Sequence, residues 1–293
     1  MKISLVGLLP GELSGLLSSF PPFRSKQIYK WILRGITSFE QMTDIPVLMQ
    51  KQLEERFCVF SSTVTNKQED GDTKKIVIKL KDGFYIEAVL LTDGKNRLTA
   101  CISTQAGCTC GCVFCKTGFS GFKRNLDSSE IIEQFLHLIR ISEIKTDKSA
   151  LEHIIDNIVI MGMGEPLLNI DNLKKSIGFL NDKQGLNISK RRITVSTCGI
   201  CEGLFNLAES GPYIRLALSL ITGDEILRNK LMPVSKNNPL VKIHKALKLF
   251  QDNGGGRLTL EIPLLGGINT SLKDAKSISS FAAGLDTIIN IIP

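Results

Sequence analysis

The stretch from Cys101 to Leu126 constrains the fold more than any other: Cys-Ile-Ser-Thr-Gln-Ala-Gly-Cys-Thr-Cys-Gly-Cys-Val-Phe-Cys-Lys-Thr-Gly-Phe-Ser-Gly-Phe-Lys-Arg-Asn-Leu. It holds five of the eight cysteines, and Cys108, Cys112 and Cys115 are spaced C-x3-C-x2-C with glycines on both sides. Three closely spaced thiolates can hold three irons of a cubane [4Fe-4S] cluster and leave the fourth iron open to a substrate. Structural zinc takes four closed ligands, usually as two C-x2-C pairs, and no second pair with a His or Cys partner stands out. The spacing therefore favours the cluster, with zinc and a disulfide as the alternatives.

A chain of 293 residues, 43% hydrophobic, can bury a sizeable core and is long enough for one large domain and a small one. No window reaches the apolar length of a membrane span, and the N-terminus carries no secretory pattern, so a cytoplasmic protein is expected. Clustered cysteines also fit a reducing compartment better than a secreted disulfide scaffold. Thirty-six Lys and Arg against 29 Asp and Glu give a net charge of +7, compatible with a polyanionic partner. The basic residues gather at Lys116, Lys123 and Arg124, at Lys190 to Arg192, and at Arg228, Lys230, Lys236, Lys242, Lys245 and Lys248. Each run reads equally well as a solvated helix face.

Residues 1 to 60 read as a small helical domain. Apolar residues recur at helical spacing from Leu5 to Leu17, Ser25 can cap a helix through Ile28, Trp31 and Ile32, and Ser38 or Asp44-Ile45-Pro46 opens a third. Residues 61 to 96 form a β-hairpin extension, with alternating strands at Lys75 to Leu80 and Phe84 to Leu91 about an Asp82-Gly83 turn. From 97 to 293 strands alternate with helices. Strands are expected near Thr99 to Gln105, Ile154 to Met161, Arg192 to Thr197, Ile214 to Leu220, Arg257 to Leu264 and Thr287 to Ile292. Helices are expected near Ser128 to Ile141, Ile170 to Asn181, Cys201 to Ser210, Val241 to Asn253 and Leu272 to Ala283. Right-handed crossovers between six such strands predict an α/β fold, a parallel sheet curled into a partial TIM-like (β/α)6 barrel.

In such barrels chemistry collects at the C-terminal ends of the strands. The cysteine loop leaves the first strand, Met161-Gly162-Met163-Gly164-Glu165-Pro166 leaves the second, Ser196 closes the third and Ser219-Leu220 closes the fourth. Glycines 162 and 164 admit close backbone approach, and Glu165 can meet an ammonium group, although a Gly-Glu-Pro turn alone is ordinary loop punctuation. Alternation puts Thr99, Cys101, Ser103 and Gln105 on one face, expected to look into the barrel and to bring Cys101 near the metal centre. Glu87 is a charge inside the apolar run Ile86 to Leu91, either turned to solvent or buried as a base. Cys58, Cys198 and Cys201 read as structural, and Cys110 has no assigned role.

The C-x3-C-x2-C spacing followed by Gly-Phe-Lys-Arg-Asn-Leu is similar to the radical S-adenosylmethionine (SAM) superfamily. With Ser-Thr-Gln-Ala-Gly-Cys before it, the stretch resembles more narrowly the RlmN/Cfr group of dual-specificity RNA methyltransferases. The resemblance runs from about Phe23 to Pro293, and Phe23 to Ile32 resembles the group's RNA-engaging N-terminal domain. It implies a radical-SAM methyltransferase acting on C2 of adenosine in 23S rRNA and tRNA. It further implies a [4Fe-4S] cluster and SAM as cofactors, an electron donor such as flavodoxin or ferredoxin, and a monomer. By the same resemblance Cys108, Cys112 and Cys115 ligate the cluster, and Gly164, Glu165, Ser196, Ser219, Leu220 and Ile221 contact SAM. Glu87 becomes the base, and Cys101, seven residues before Cys108, the thiol that attacks or resolves a covalent intermediate on the RNA. An adenosine reaching such a site must leave its stack, which fits looped or single-stranded RNA.

Two departures qualify the resemblance. The group's Ser-Leu-His-Ala is replaced by Ser219-Leu220-Ile221-Thr222-Gly223, and no cysteine follows Cys201, although the group carries a methyl-bearing cysteine near its C-terminus. If complete, these 293 residues are expected to bind a cluster and cleave SAM without turning over as a methyltransferase; they read equally as a fragment of an active enzyme. A radical-SAM enzyme with another substrate, or a non-catalytic iron-sulfur RNA-binding protein, is the alternative.

Overall fold

Prolines and capping side chains set where the helices of this chain begin. In the computed structural model, which describes residues 2–142 and 154–293, the chain opens with β1 (Ile3–Ser4), α1 (Pro10–Leu16), α2 (Pro22–Leu33), α3 (Val47–Arg56) and β2 (Phe57–Cys58). Strands β3 (Thr63–Asp70), β4 (Thr73–Lys79), β5 (Tyr85–Thr92) and β6 (Leu98–Cys101) follow. Next come β7 (Gln105–Ala106), α4 (Lys116–Phe119), β8 (Arg124–Asn125), α5 (Ser128–Ile141), β9 (Asn157–Ile160) and α6 (Ile170–Asn181). The last part holds β10 (Ile193–Thr197), α7 (Cys201–Ser210), β11 (Arg215–Ser219), α8 (Glu225–Leu231), α9 (Leu240–Asp252), β12 (Leu258–Pro263), α10 (Leu272–Ala282) and β13 (Thr287–Ile292).

One compact unit comprises Met1–Ser103, Leu126–Ile158 and Asp171–Ser189. Its helix α2 starts four residues earlier than a Ser25 cap would set, because Pro22 at the first helical position has φ preset and no N–H to leave unpaired. Ser25 therefore lies inside the helix, its hydroxyl donating back to Pro22 O at 2.7 Å. The helix expected from Leu5 shrinks to α1, since Ile3–Ser4 pairs in parallel with Phe57–Cys58. Strands β3 to β6 form an antiparallel ladder in sequence order. Ile76, Ile78, Ile86, Ala88, Leu90 and Ala100 are its buried residues, and α5 begins as expected, on a capping box between Asp127 and Glu130.

The first barrel strand is shorter than expected. It stops at Cys101 because the Ser103 backbone is taken by a side chain: its N–H donates to Gln134 Oε1 at 2.8 Å, and its carbonyl accepts from Gln134 Nε2 at 2.9 Å. The polar face expected over Thr99 to Gln105 is thus limited to Thr99 and Cys101, while Ser103 and Gln105 are buried.

The second unit comprises Thr104–Asn125, Val159–Ile170 and Lys190–Pro293. Strands β10 to β13 run parallel in sequence order, joined through helices as the strand-helix alternation requires. Ile193, Val195, Leu216, Leu218, Leu258, Leu260 and Ile262 are buried. Thr194, Ser196, Ser219, Thr259 and Glu261 alternate with them and are only partly covered. No helix among the described residues is long and apolar enough to cross a membrane.

Candidate active site

The cysteine loop is closed at its base by backbone. β7 and β8 pair Gln105 with Asn125 and Ala106 with Arg124, and Lys123 N–H donates to Ala106 O at 2.9 Å. A Cβ on Gly107 would stand 1.8 Å from Gly121 O, so only glycine permits this crossing. Within the loop Cys115 N–H donates to Cys112 O at 3.1 Å and Gly118 N–H to Cys115 O at 3.0 Å, while Val113 N–H reaches Leu231 O of α8 at 3.0 Å. The result is that Cys108, Cys112 and Cys115 line one cavity of 240 Å³ together with Gly162, Gly164, Glu165, Ser196, Ser219 and Glu261. These residues come from the C-terminal ends of the strands, the rim where the sequence pattern places them.

Glu165 is buried and fully oriented. Its carboxylate accepts from Thr197 Oγ1 at 2.7 Å, Cys198 N–H at 2.8 Å and Leu167 N–H at 3.0 Å. Its own N–H donates to Gln105 Oε1 at 2.9 Å. Burial pushes its pKa up, against those three donors, which favour the charged form. Gly164 has φ +100, and a Cβ there would stand 2.5 Å from Gln105 Cβ, so the approach to Gln105 requires glycine.

The thiols fit a cationic centre. Burial first, then Cys108, Cys115 and Glu165, push Cys112 up to about 12, with Arg228 acting the other way. The iron of a cluster held by Cys108, Cys112 and Cys115 would supply positive charge that favours their thiolates. Cys110 and Cys198, far apart in sequence, meet at 3.5 Å between sulfurs, and with Glu165 form a buried group whose ligand atoms lie within 4.8 Å of one another. The Cys110 contact favours the Cys198 thiolate, yet burial and Glu165 outweigh it and push Cys198 up to about 12. Cys201 is raised by burial, so its helix start does not activate it.

Ser196 and Ser219 come together on a residue that sequence reading passed over. Glu261 Oε2 accepts from Ser196 Oγ at 3.0 Å and Ser219 Oγ at 3.5 Å, in register with Ser219. The signal was present: Glu261 is a charge within the apolar run Leu258 to Ile262, as Glu87 is in its own strand. Leu220 and Ile221 lie outside the cavity lining, and both are buried. The Leu220 carbonyl accepts from Arg228 Nε at 3.2 Å, and that of Ile221 from Asn269 Nδ2 at 2.9 Å. Arg228, read from sequence as part of a basic surface run, is fully buried; its Nη2 donates to Cys198 O at 2.5 Å and Ser219 O at 3.5 Å.

A model of the radical SAM superfamily matches residues 102–275, and one of the ribosomal RNA large subunit methyltransferase N-terminal domain matches residues 5–59. The chain is 43% identical to a probable dual-specificity RNA methyltransferase RlmN of Treponema pallidum (strain Nichols), over 99% of this chain and 83% of that protein. The chain belongs to the RlmN family of radical SAM methyltransferases. A Treponema denticola protein of the same name is 45% identical over 100% of this chain and 82% of its own length. A solved radical SAM methyltransferase from Sphaerobacter thermophilus superposes with a TM-score of 0.92 at 32% identity, over 99% of this chain and 85% of that one. The fold is thus the α/β radical-SAM fold, and the chain is a SAM-dependent radical RNA methyltransferase of a superfamily that uses a [4Fe-4S] cluster and SAM.

Glu87 and Cys101, the catalytic candidates of this RlmN-family chain, lie in the first unit. Cys101 is paired with Val89, so Glu87, two residues before Val89, is its diagonal neighbour on the same face of the β5–β6 ladder. Cys101 is partly buried. Glu87 is turned to solvent and ion-paired with Lys75 Nζ at 3.1 Å.

Proposed function

We propose that this RlmN-type enzyme methylates C2 of adenosine in 23S rRNA and tRNA. The convergence of the three loop thiols, Gly164 and Glu165 on one cavity carries the reading. Cys108, Cys112 and Cys115 would hold the cluster. Glu165, which borders the cavity with the loop thiols, would meet the ammonium of SAM. Glu261 would hold the Ser196 and Ser219 hydroxyls ready for SAM, and Leu220 and Ile221 would act through backbone fixed by Arg228 and Asn269. The bound cofactors supply a 5′-deoxyadenosyl radical, the chemistry adenine C2 needs because it is too weak a nucleophile and too weak an acid for ordinary alkylation.

Glu87 would remove the substrate proton and Cys101 would handle the covalent intermediate, a division of labour supported by their shared face. Residues 1–60 would engage RNA, 61–96 extend the sheet, and 97–293 carry the chemistry of a cytoplasmic, monomeric enzyme reduced by a flavodoxin or ferredoxin. The test is anaerobic incubation of the reconstituted protein with reductant, SAM and RNA. 5′-Deoxyadenosine is the product expected from cleavage of SAM. Absence of 5′-deoxyadenosine overturns the radical reading, and a methyl group found by mass spectrometry on any atom but adenine C2 overturns the position.

A further inference from the structure

We propose that the cluster loop carries a platform for unpaired nucleobases, on which Phe119 and Phe122 stack bases flanking the reacting adenosine while Lys116 and Lys123 meet the adjoining phosphates. The inference deepens the RNA reading above and rests on it.

Between Val113 and Phe122 four large apolar side chains stand in solvent: Val113 at 51%, Phe114 at 41%, Phe119 at 76% and Phe122 at 41% exposure. A single exposed apolar residue needs no explanation, but a cluster of them marks a surface that something covers. Lys116 and Lys123, interleaved with the phenylalanines, are exposed as well. Phe114 also lines the cavity of the cluster thiols, so the patch starts at the site itself.

The patch is built on fixed backbone. A Cβ on Gly118 would stand 3.4 Å from Cys112 O and 3.6 Å from Cys112 N, so the turn that carries Phe119 lies directly on the ligand loop. Phe122 is held between the Gly107–Gly121 crossing and the Lys123 to Ala106 hydrogen bond. Aromatic faces presented on such a base lose little freedom on binding. Stacking accepts any base that has left its helix, and lysines follow the strand by charge, the combination that single-stranded RNA sites use. A protein partner would bury apolar side chains without regard to aromaticity, and that difference is testable.

The experiment measures binding of a short fluorescein-labelled single-stranded RNA by anisotropy, on the reconstituted 293-residue protein. Phe119→Ala is expected to weaken binding by about 5- to 100-fold. Phe119→Tyr should restore it, and Phe119→Leu should not. Lys123→Ala should lower the slope of log affinity against log salt by about 0.7. The same RNA paired into a duplex should be insensitive to Phe119→Ala. Phe122→Ala, read in the same way, serves if Phe119→Ala fails to fold. Equal binding by wild type, Phe119→Ala and Phe122→Ala, or full rescue by Phe119→Leu, overturns the platform while leaving the RNA reading intact. Failure of the wild type itself to bind single-stranded RNA overturns the RNA reading and the platform with it.

Discussion

Two buried glutamates, Glu165 in one unit and Glu133 in the other, have much in common and differ in what they can do. Burial pushes both carboxyls above the ordinary range, and hydrogen bonds hold both against it. Glu133 accepts from Ser4 Oγ at 2.8 Å, from Ser61 N–H at 2.7 Å and Oγ at 2.9 Å, from Ser62 N–H at 2.9 Å, and from the Ser62 hydroxyl. Five donors exhaust the roughly four lone-pair sites of a carboxylate. Glu165 accepts from two N–H groups, the Thr197 hydroxyl and the Cys198 thiol, yet borders a cavity lined with thiols. A perturbed carboxylate therefore marks a site only where open space remains beside it. Glu133 instead fastens the segment at Ser61 and Ser62, and with it Ser4, to helix α5.

The comparison breaks first at the metal. Cys112→Ala removes one of the three proposed ligands and is expected to abolish the broad visible absorbance of the reconstituted cluster and all 5′-deoxyadenosine formation, with iron and sulfide counts as the check. Retention of a full cluster would show that the cavity is not its seat. Next in size is Glu133→Gln, which turns an amide NH2 toward N–H and O–H donors. It should lower the unfolding free energy by about 3 kcal/mol, read from urea titration, because buried donors lose their acceptor. SAM affinity of the folded variant should not change. Glu165→Gln also turns an amide toward buried donors and should cost stability, but it alone should weaken SAM binding, by roughly 10- to 100-fold through loss of a hydrogen bond to a charged group, as isothermal titration would show. If the two substitutions have the same effect on SAM binding, the distinction between a fastening and a binding carboxylate is wrong.

How far these features were legible in sequence depended on whether local signals decided them. Helices α5, α6 and α7 begin and end where periodicity and caps put them, and β13 covers its expected residues. β3 has no such signal: Thr-Val-Thr-Asn-Lys-Gln-Glu-Asp buries almost nothing and is a strand only because β4 offers it a ladder. Helix α8 is seven residues long, inside a run that reads as basic surface. Burial of Arg228 is a tertiary fact, set by carbonyls at residues 198, 219 and 220 that no spacing rule brings together. The cysteine spacing was legible because the loop is local, whereas the contact of Cys110 with Cys198 needs the fold. Glu261 was accessible to the same reasoning as Glu87, a charge in an apolar strand, and its strand-end neighbours show which of its two readings holds.

The smallest effect tests the sealed side of the comparison through pH. His137 Nε2 lies 3.2 Å from the Ser62 hydroxyl that also donates to Glu133, its ring stacks on Phe60 with centroids 4.5 Å apart, and its Nδ1 has no hydrogen-bond partner among the described residues. Burial, helped by Arg140, lowers its pKa from 6.5 to about 4. A folded value below the unfolded one means that the unfolded chain binds more protons in that window, so the neutral ring's contribution is complete above 6.5 and is lost as pH falls toward 4. Glu133 acts in the opposite direction: its raised carboxyl contributes most below the unfolded value and loses that contribution as pH rises. Setting the wild type against His137→Gln cancels the glutamate and isolates the ring. Between about pH 7 and about pH 5.5 the wild type should lose about 1 kcal/mol more unfolding free energy than the variant, measured by urea titration at each pH. An identical pH dependence in the two proteins would mean that water or a proton reaches His137 in the folded state, and the sealed character of the Glu133 hub would have to be given up.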